Sequence, residues 1–194
     1  MNWEGQVECG LGTLTCRPLT PDRFQDALTV FGHSNVVRRC ACMYWRQPSG
    51  TPREGSEERF GKVVEAGPPG LIGYLDDEPV GWVSIAPRHE FVRLERSPVL
   101  GPVDDTPVWS INCFVTRVGY RRQGVADAMV RAAIAYARDM GAAAVEGYPW
   151  DAPTRNAPNL WVGSPRMFGG FDEVARRRPH RPIVRLDLGV GSQE

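Results

Sequence analysis

The chain has 194 residues, a length that fits one domain with a core large enough to fold unaided. Its 23 basic and 23 acidic residues cancel, which argues against a nucleic-acid binder working through a broad basic field, and no apolar run approaches the roughly 18 residues that a membrane span needs. The opening MNWEGQVECG has no basic or apolar leader pattern, so no signal peptide is expected, and the odd set Cys9, Cys16, Cys40, Cys42 and Cys113 reads as reduced thiols of a cytoplasmic protein.

In chain order, Leu14 to Arg17 is a short strand. Thr20, Pro21 and Asp22 supply an N-cap, a proline at the first helical position and an early acid, predicting a helix to about Phe31. Val36 to Arg46 (VVRRCACMYWR) has no clean period and receives no element. After a polar loop, Ser49 to Gly55, Ser56 with Glu57 and Glu58 opens a second helix that ends before Gly67-Pro68-Pro69-Gly70. Leu71 to Leu75 and Val80 to Ala86 read as strands joined by the turn Asp76-Asp77-Glu78-Pro79. Pro87 to Pro107 reads as a long polar connection, of the kind that often carries function. Val108 to Val115 (VWSINCFV) is a strong strand and Ala143 to Val145 another. Phe171 to Val174 and Ile183 to Leu188 close the chain around an arginine-rich turn. This order predicts a mixed α/β fold in a single domain, residues 1–194, without internal repeats.

Between the strands Val108 to Val115 and Ala143 to Val145 lies GYRRQGVADAMVRAAIAYARDMGA, Gly119 to Ala142. Val125, Met129, Ala132, Ala133, Tyr136, Ala137 and Met140 share one helical face, Asp127, Arg131 and Arg138 point away, and Gly141 stops the helix. The first N–H groups of a helix lack internal partners and sit at the positive end of its dipole. Gly124 lets another molecule's oxygens approach the backbone, Ala126 is small, and Arg121 and Arg122 add charge, so the turn suits a phosphate or pyrophosphate. An ordinary helix start would look the same at this length. The segment has neither the Gly-Lys-Ser/Thr of a Walker loop nor a G-x-G-x-x-G.

The context of this turn resembles the GNAT superfamily of acetyl-CoA-dependent N-acetyltransferases. Arg121-x-x-Gly124-x-Ala126 matches that family's Q/R-x-x-G-x-G/A motif, Phe114-Val115 resembles the preceding strand, and Gly170-Phe171-Asp172-Glu173 resembles the late GF-x-E segment. The resemblance covers about 71–188. It implies a central, mostly antiparallel sheet splayed at the acyl-CoA site and flanked by helices, with a helical acceptor side at about 18–66. It also implies that the backbone N–H groups of Arg122, Gln123, Gly124, Val125 and Ala126 hold the CoA pyrophosphate. Cys113, Phe114 and Val115 would then offer strand backbone to the pantetheine amides, as an added strand does, and an N–H near Val115 would polarise the thioester carbonyl.

The reaction so implied is direct attack on acetyl-CoA by a primary amine, with a base and an acid. Many members carry the acid as a tyrosine just before the GF segment, where this chain has Arg166-Met167-Phe168-Gly169. Ser164 and Tyr148 stand as substitutes, though Tyr148 reads equally as a partly buried aromatic. Glu146, at a strand end, is the candidate base or else a solvated charge. Cys113 could form an acyl-enzyme, but a buried strand thiol fits it better. Cys40-Ala41-Cys42 lacks the second thiol pair of a zinc site, so no metal is expected. Met43, Tyr44, Trp45 and Arg46 are candidates to line the acceptor site. The acceptor is a small-molecule or protein amine, with homodimerisation a further expectation from the family and no nucleic-acid or membrane partner. Two rival readings stay open: a CoA-binding regulatory or sensor module without turnover, and a GNAT-shaped interaction protein without cofactor.

Overall fold

The computed structural model describes residues 3–32, 35–152 and 161–189. Its eight strands form one sheet, the short early ones alternating between buried and more exposed residues and the central ones nearly continuous in burial. The strands are β1 (Gly5–Cys9), β2 (Gly12–Pro18), β3 (Gly70–Leu75), β4 (Glu78–Pro87), β5 (Val108–Thr116), β6 (Ala144–Gly147), β7 (Asp172–Arg176) and β8 (Pro182–Asp187). Their spatial order is β1-β2-β3-β4-β5-β6-β8-β7. Every neighbouring pair is antiparallel except β5 with β6, which a helix connects. A parallel pair needs such a crossover, and Val125–Asp139 (α5, 15 residues) supplies it.

Adjacent strand residues point to opposite faces, and the core divides accordingly. Leu71, Val83 and Phe114 pack with α5, whose Val125, Met129, Ala132, Ala133, Tyr136 and Ala137 are buried as the periodicity predicts. Ile72, Trp82 and the partly buried Cys113 and Val115 face the other layer. That layer is α1 (Phe24–Phe31), α2 (Asn35–Cys40) and α3 (Ser56–Ala66). A third cluster, including Trp45, Phe91, Leu94 and Tyr148, closes one end.

Four features differ from the sequence expectation. The first strand, β1, went unseen because its five residues carry only two apolar side chains, Val7 and Cys9, both half-exposed. Val36 to Arg46 begins as the short helix α2, and Ala41 and Cys42 then break it with left-handed φ values of 42° and 55°. Thr20 makes no side-chain cap, and a 3₁₀ turn, Pro21–Arg23, precedes α1. The segment after β4 is no polar loop: it holds a 3₁₀ turn, Arg88–Glu90, and a single-turn helix, α4 (Val92–Glu95), with Phe91, Leu94 and Leu100 buried. His33 lies outside the described residues.

Candidate active site

The functional geometry begins where β5 outruns β6. Val108 to Ile111 pair with Ala144 to Gly147, and there β6 ends, while β5 continues to Thr116 paired only with β4. Residues 112–116 therefore have no β6 partner. The edge begins at a β-bulge: Ser84 faces Cys113 and Ile85 faces Ile111, leaving Asn112 as the extra residue. The Asn112 carbonyl accepts the Trp45 indole N–H at 3.0 Å. Its side-chain amide is 1% exposed, and neither Oδ1 nor Nδ2 has a partner among the described residues.

An aromatic ring packs against the end of β6 and against β5. A Cβ added to Gly147, the last residue of β6, would lie 2.2 Å from Phe168 Cε1. The same ring packs on Phe114 of β5, with centroids 6.2 Å apart, and on Phe171 at 5.3 Å. Phe168 occupies the region where the resemblance led us to seek a tyrosine, and it is buried and apolar. Ser164 is half-buried beside Gly163, whose Cα faces Phe114, Met167 and Phe168.

Below the opening, a buried polar cluster pins the strands. Arg88 Nη1 donates to Glu146 Oε2 and to the Tyr148 hydroxyl, both at 2.7 Å, and Tyr148 donates to Glu146 Oε2 at 2.8 Å. With its one proton committed to Glu146, the Tyr148 hydroxyl accepts from the Ser110 hydroxyl at 2.7 Å. Arg185 Nη2 donates to Glu146 Oε1 at 2.8 Å and Arg185 Nη1 to Asp104 Oδ2 at 2.7 Å. Glu146 is 1% exposed and Tyr148 fully buried. Burial, and then the Glu146 charge, push the Tyr148 phenol well above its ordinary range, so it stays protonated. Glu146 is thus not a solvated strand-end charge, nor Tyr148 a partly buried aromatic. Both oxygens of Glu146 are engaged by arginines.

At the far end of β5 the chain turns into α5. Gly119, Arg122 and Gly124 have φ of 99°, 62° and 76°. A left-handed arginine is uncommon outside functional or tight turns. Gly124 is the N-cap, with no side-chain cap, and the first helical hydrogen bond runs from Ala128 N to Gly124 O at 2.9 Å. The N–H groups of Val125 and Ala126 therefore have no partner within the helix and sit at the positive end of its 15 residues. Arg121, Arg122 and Gln123 are exposed, and Arg121 Nε donates to Thr116 O at 3.2 Å. The β1–β2 hairpin clasps the turn from outside, with Gly10 N donating to Gln123 O at 2.8 Å. A groove of about 570 Å³ borders it, lined by Leu28, Phe31, Val37, Val115, Arg117 and Arg121 among others. These features fit a pyrophosphate at the turn and an extended chain of amides along β5.

The structure separates the remaining candidates. Met43 and Trp45 are buried, Arg46 pairs with Glu90 at 2.6 Å, and Tyr44 alone of the four is exposed, stacked edge-on against Trp161 at 5.2 Å. The arginine-rich turn is engaged internally: Arg176 pairs with Glu173 and Asp151, and Arg177 donates to the carbonyls of Gly101 and Pro102. Sequence reasoning missed Arg88, Ser110, Asn112, Phe168 and Gly10. Gly147 and Gly163, small residues flanking one aromatic, were the available signal for Phe168. Among the described residues, no group of three or more His, Cys, Asp or Glu side chains could hold a metal ion.

Comparison with known proteins adds a family. Residues 37–157 match the model of the acetyltransferase (GNAT) family. No curated protein matches the sequence. Among solved structures, the chain is similar to the GNAT domain of PAT from S. lividans, with 16% identity, a TM-score of 0.59 and coverage of 95% of this chain and 97% of that one. It is also similar to a GNAT-family acetyltransferase of Listeria monocytogenes, at 9% identity and a TM-score of 0.59, over 94% of this chain and 99% of the other. A third, yncA of Salmonella typhimurium, was solved with its cofactor acetyl-CoA; it shares 13% identity at a TM-score of 0.53, with coverage of 92% and 96%. At such identities the likeness is one of fold.

Proposed function

The chain belongs to the acetyltransferase (GNAT) family, and from that premise we propose that it transfers an acetyl group from acetyl-CoA to a primary amine by direct attack. The single observation that carries the reading is an uncapped helix N-terminus, Gly124 to Ala126, joined to a strand whose residues 112–116 have one edge open. In this reading the pyrophosphate rests on the N–H groups of Gln123, Gly124, Val125 and Ala126, with Arg121 and Arg122 as counter-charges. The pantetheine arm runs back along Cys113, Phe114 and Val115, adding itself to the sheet where β6 is missing. A strand N–H near Val115 faces the thioester carbonyl and lowers the cost of the charge that develops there.

The acceptor, a small-molecule or protein amine, enters from the side of Tyr44 and Trp161. The unpartnered amide of Asn112 supplies an acceptor and a donor for the amine and the acetyl oxygen. Ser164 is the candidate acid of the three original catalytic candidates, because it is the one left accessible. We assign Glu146 and Tyr148 to holding β4, β5, β6 and β8 in place, with water taking the amine proton. Positioning alone supports large rate gains in such a transfer.

A CoA-binding module without turnover is favoured by one observation, the locked state of Glu146 and Tyr148. Calorimetric titration with acetyl-CoA, followed by an assay of CoA thiol release over a panel of amines, separates the readings. Binding with release dependent on one amine class is the expected result. Binding without release across the panel favours the module, and no binding by the folded chain overturns both.

A further inference from the structure

We propose that the pocket between the α2–α3 connection and α4 is an oxyanion-binding site, taking a carboxylate or phosphate group. The site stands on its own donors; only its assignment to the acceptor rests on the acetyltransferase reading.

The pocket holds about 190 Å³ and is walled by Tyr44, Gln47, Thr51, Arg53, Ser56 and Arg93 among others. Two of these walls are guanidinium groups, yet no aspartate or glutamate lines the space. The acids nearby in the chain serve other cations. Glu57 lies 3.8 Å from Arg38, Glu58 2.9 Å from Lys62, Glu90 2.6 Å from Arg46 and Glu95 2.8 Å from Arg88. Glu54 is exposed and stands outside the lining.

Arg93 is fixed by groups that leave its charge unanswered. Its backbone N–H donates to the Trp45 carbonyl at 3.0 Å, and its Nη2 donates to the Pro48 carbonyl at 3.0 Å. Its guanidinium lies over the Tyr44 ring, 4.1 Å from the centroid. Its Nε is buried with no partner among the described residues, a state that folded chains rarely leave unexplained.

Arg59 turns two further donors toward the same space. A guanidinium can only donate, so each group it meets is used as an acceptor. Its Nε donates to Gln47 Oε1 at 3.1 Å and its Nη2 to Ser56 Oγ at 3.1 Å. Gln47 keeps both N–H bonds of its amide to give, and Ser56 keeps its hydroxyl proton. Both side chains are buried, at 9% and 2% exposure, and both line the pocket. Two guanidinium groups, an amide and a hydroxyl thus converge with donors in excess and no acidic acceptor. A cation is repelled there, and an apolar group leaves the donors unpaired. The paired oxygens of a carboxylate or phosphate match them.

The pocket also has a path to β5. The Tyr44 ring meets Trp45 at 4.9 Å and Trp161 at 5.2 Å, and the Trp45 indole donates to the Asn112 carbonyl at the bulge. An acceptor laid along these rings carries its amine at the strand edge and its anionic group in the pocket.

The test titrates the full chain with sodium phosphate and, separately, with sodium acetate, at an ionic strength held constant with sodium chloride. The side-chain amide resonances of Gln47 in a ¹⁵N spectrum are the readout. Saturable shifts are expected, with affinity lowered about tenfold or more in Arg93→Gln and also lowered in Arg53→Gln, whose side chain is exposed. Gly124→Glu, at the other phosphate candidate, should leave them in place. No saturable shift in the folded chain, equal affinity in both arginine variants, or loss in Gly124→Glu alone overturns the proposal. CoA thiol release is then compared between amino acids and their carboxamides. A lower KM for the acids, with the preference removed by Arg93→Gln, assigns the anionic group to the acceptor. Equal KM values with phosphate still bound assign the site to a free anion. If no amine is turned over, the acetyltransferase reading fails and the titration alone decides the site.

Discussion

Glu146 meets two guanidinium groups and one phenol with no solvent around it. Removing one partner of such a group strands a buried charge, whereas replacing the group by a well-packed apolar one need not. Arg88→Met, which leaves Glu146 Oε2 and Tyr148 without their cation, should cost about 3–5 kcal/mol in urea unfolding. A loss below about 1 kcal/mol would mean that the cluster is hydrated and loosely held. Asn112 poses the opposite case. Its amide is buried and unpartnered, a state that costs about 1–3 kcal/mol in a folded chain. Asn112→Ala should therefore leave the unfolding midpoint unchanged or raise it while lowering acetyl transfer. A midpoint that falls together with activity would make Asn112 an ordinary structural residue.

At the scale of elements, Phe168 fills the space where a side chain at Gly147, the end of β6, would stand. Gly147→Ala should cost about 1–3 kcal/mol by overpacking, and Phe168→Leu in the same chain should recover part of it. Additivity of the two losses in thermal unfolding would show that the ring does not bear on β6. The elements legible in the sequence were those whose own periodicity sufficed: α5 by its repeating apolar face, β3, β4 and β5 by continuous apolar runs. The left-handed turn before α5 was legible as well, since its glycine and uncapped helix start are local features. What stayed hidden depends on distant partners. β1 has meaning only as an edge beside β2 and α5, and Arg88 looks like a loop charge until Glu146 and Tyr148 are folded against it from 58 and 60 residues away. Glu146 was picked out as a carboxylate at a strand end, and Arg185, brought alongside by β6–β8 pairing, joins Arg88 and Tyr148 in enclosing it.

For the molecule as a whole, ligand and proton linkage give two tests. Acetyl-CoA at about a hundred times its dissociation constant should add roughly 2.7 kcal/mol, or about 5–10 °C in midpoint for a chain of this size. Gly124→Glu, which sets a carboxylate at the turn where the pyrophosphate is proposed to rest, should abolish the shift; a shift retained by that variant would put the ligand elsewhere. Asp104 is held well below the usual carboxylate range by Arg185 and then by Thr106, and Glu173 is lowered by Arg176 and Glu78 by Tyr120 and Arg117. A carboxyl with a depressed folded pKa contributes stability that is present above its unfolded value and lost as pH falls toward the folded one. The midpoint should accordingly hold down to about pH 4 and drop below it, less steeply in Asp104→Asn. An equal acid slope in that variant would exclude the Asp104–Arg185 pair as a source. The N-terminal hairpin also clasps the turn before α5. The Gly10 amide proton belongs to the hairpin and is bonded to the Gln123 carbonyl of the turn. Its resonance and its deuterium exchange rate are thus a remote gauge of the turn: a single backbone proton, readable in a ¹⁵N spectrum, that registers when Gln123 tightens or lets go.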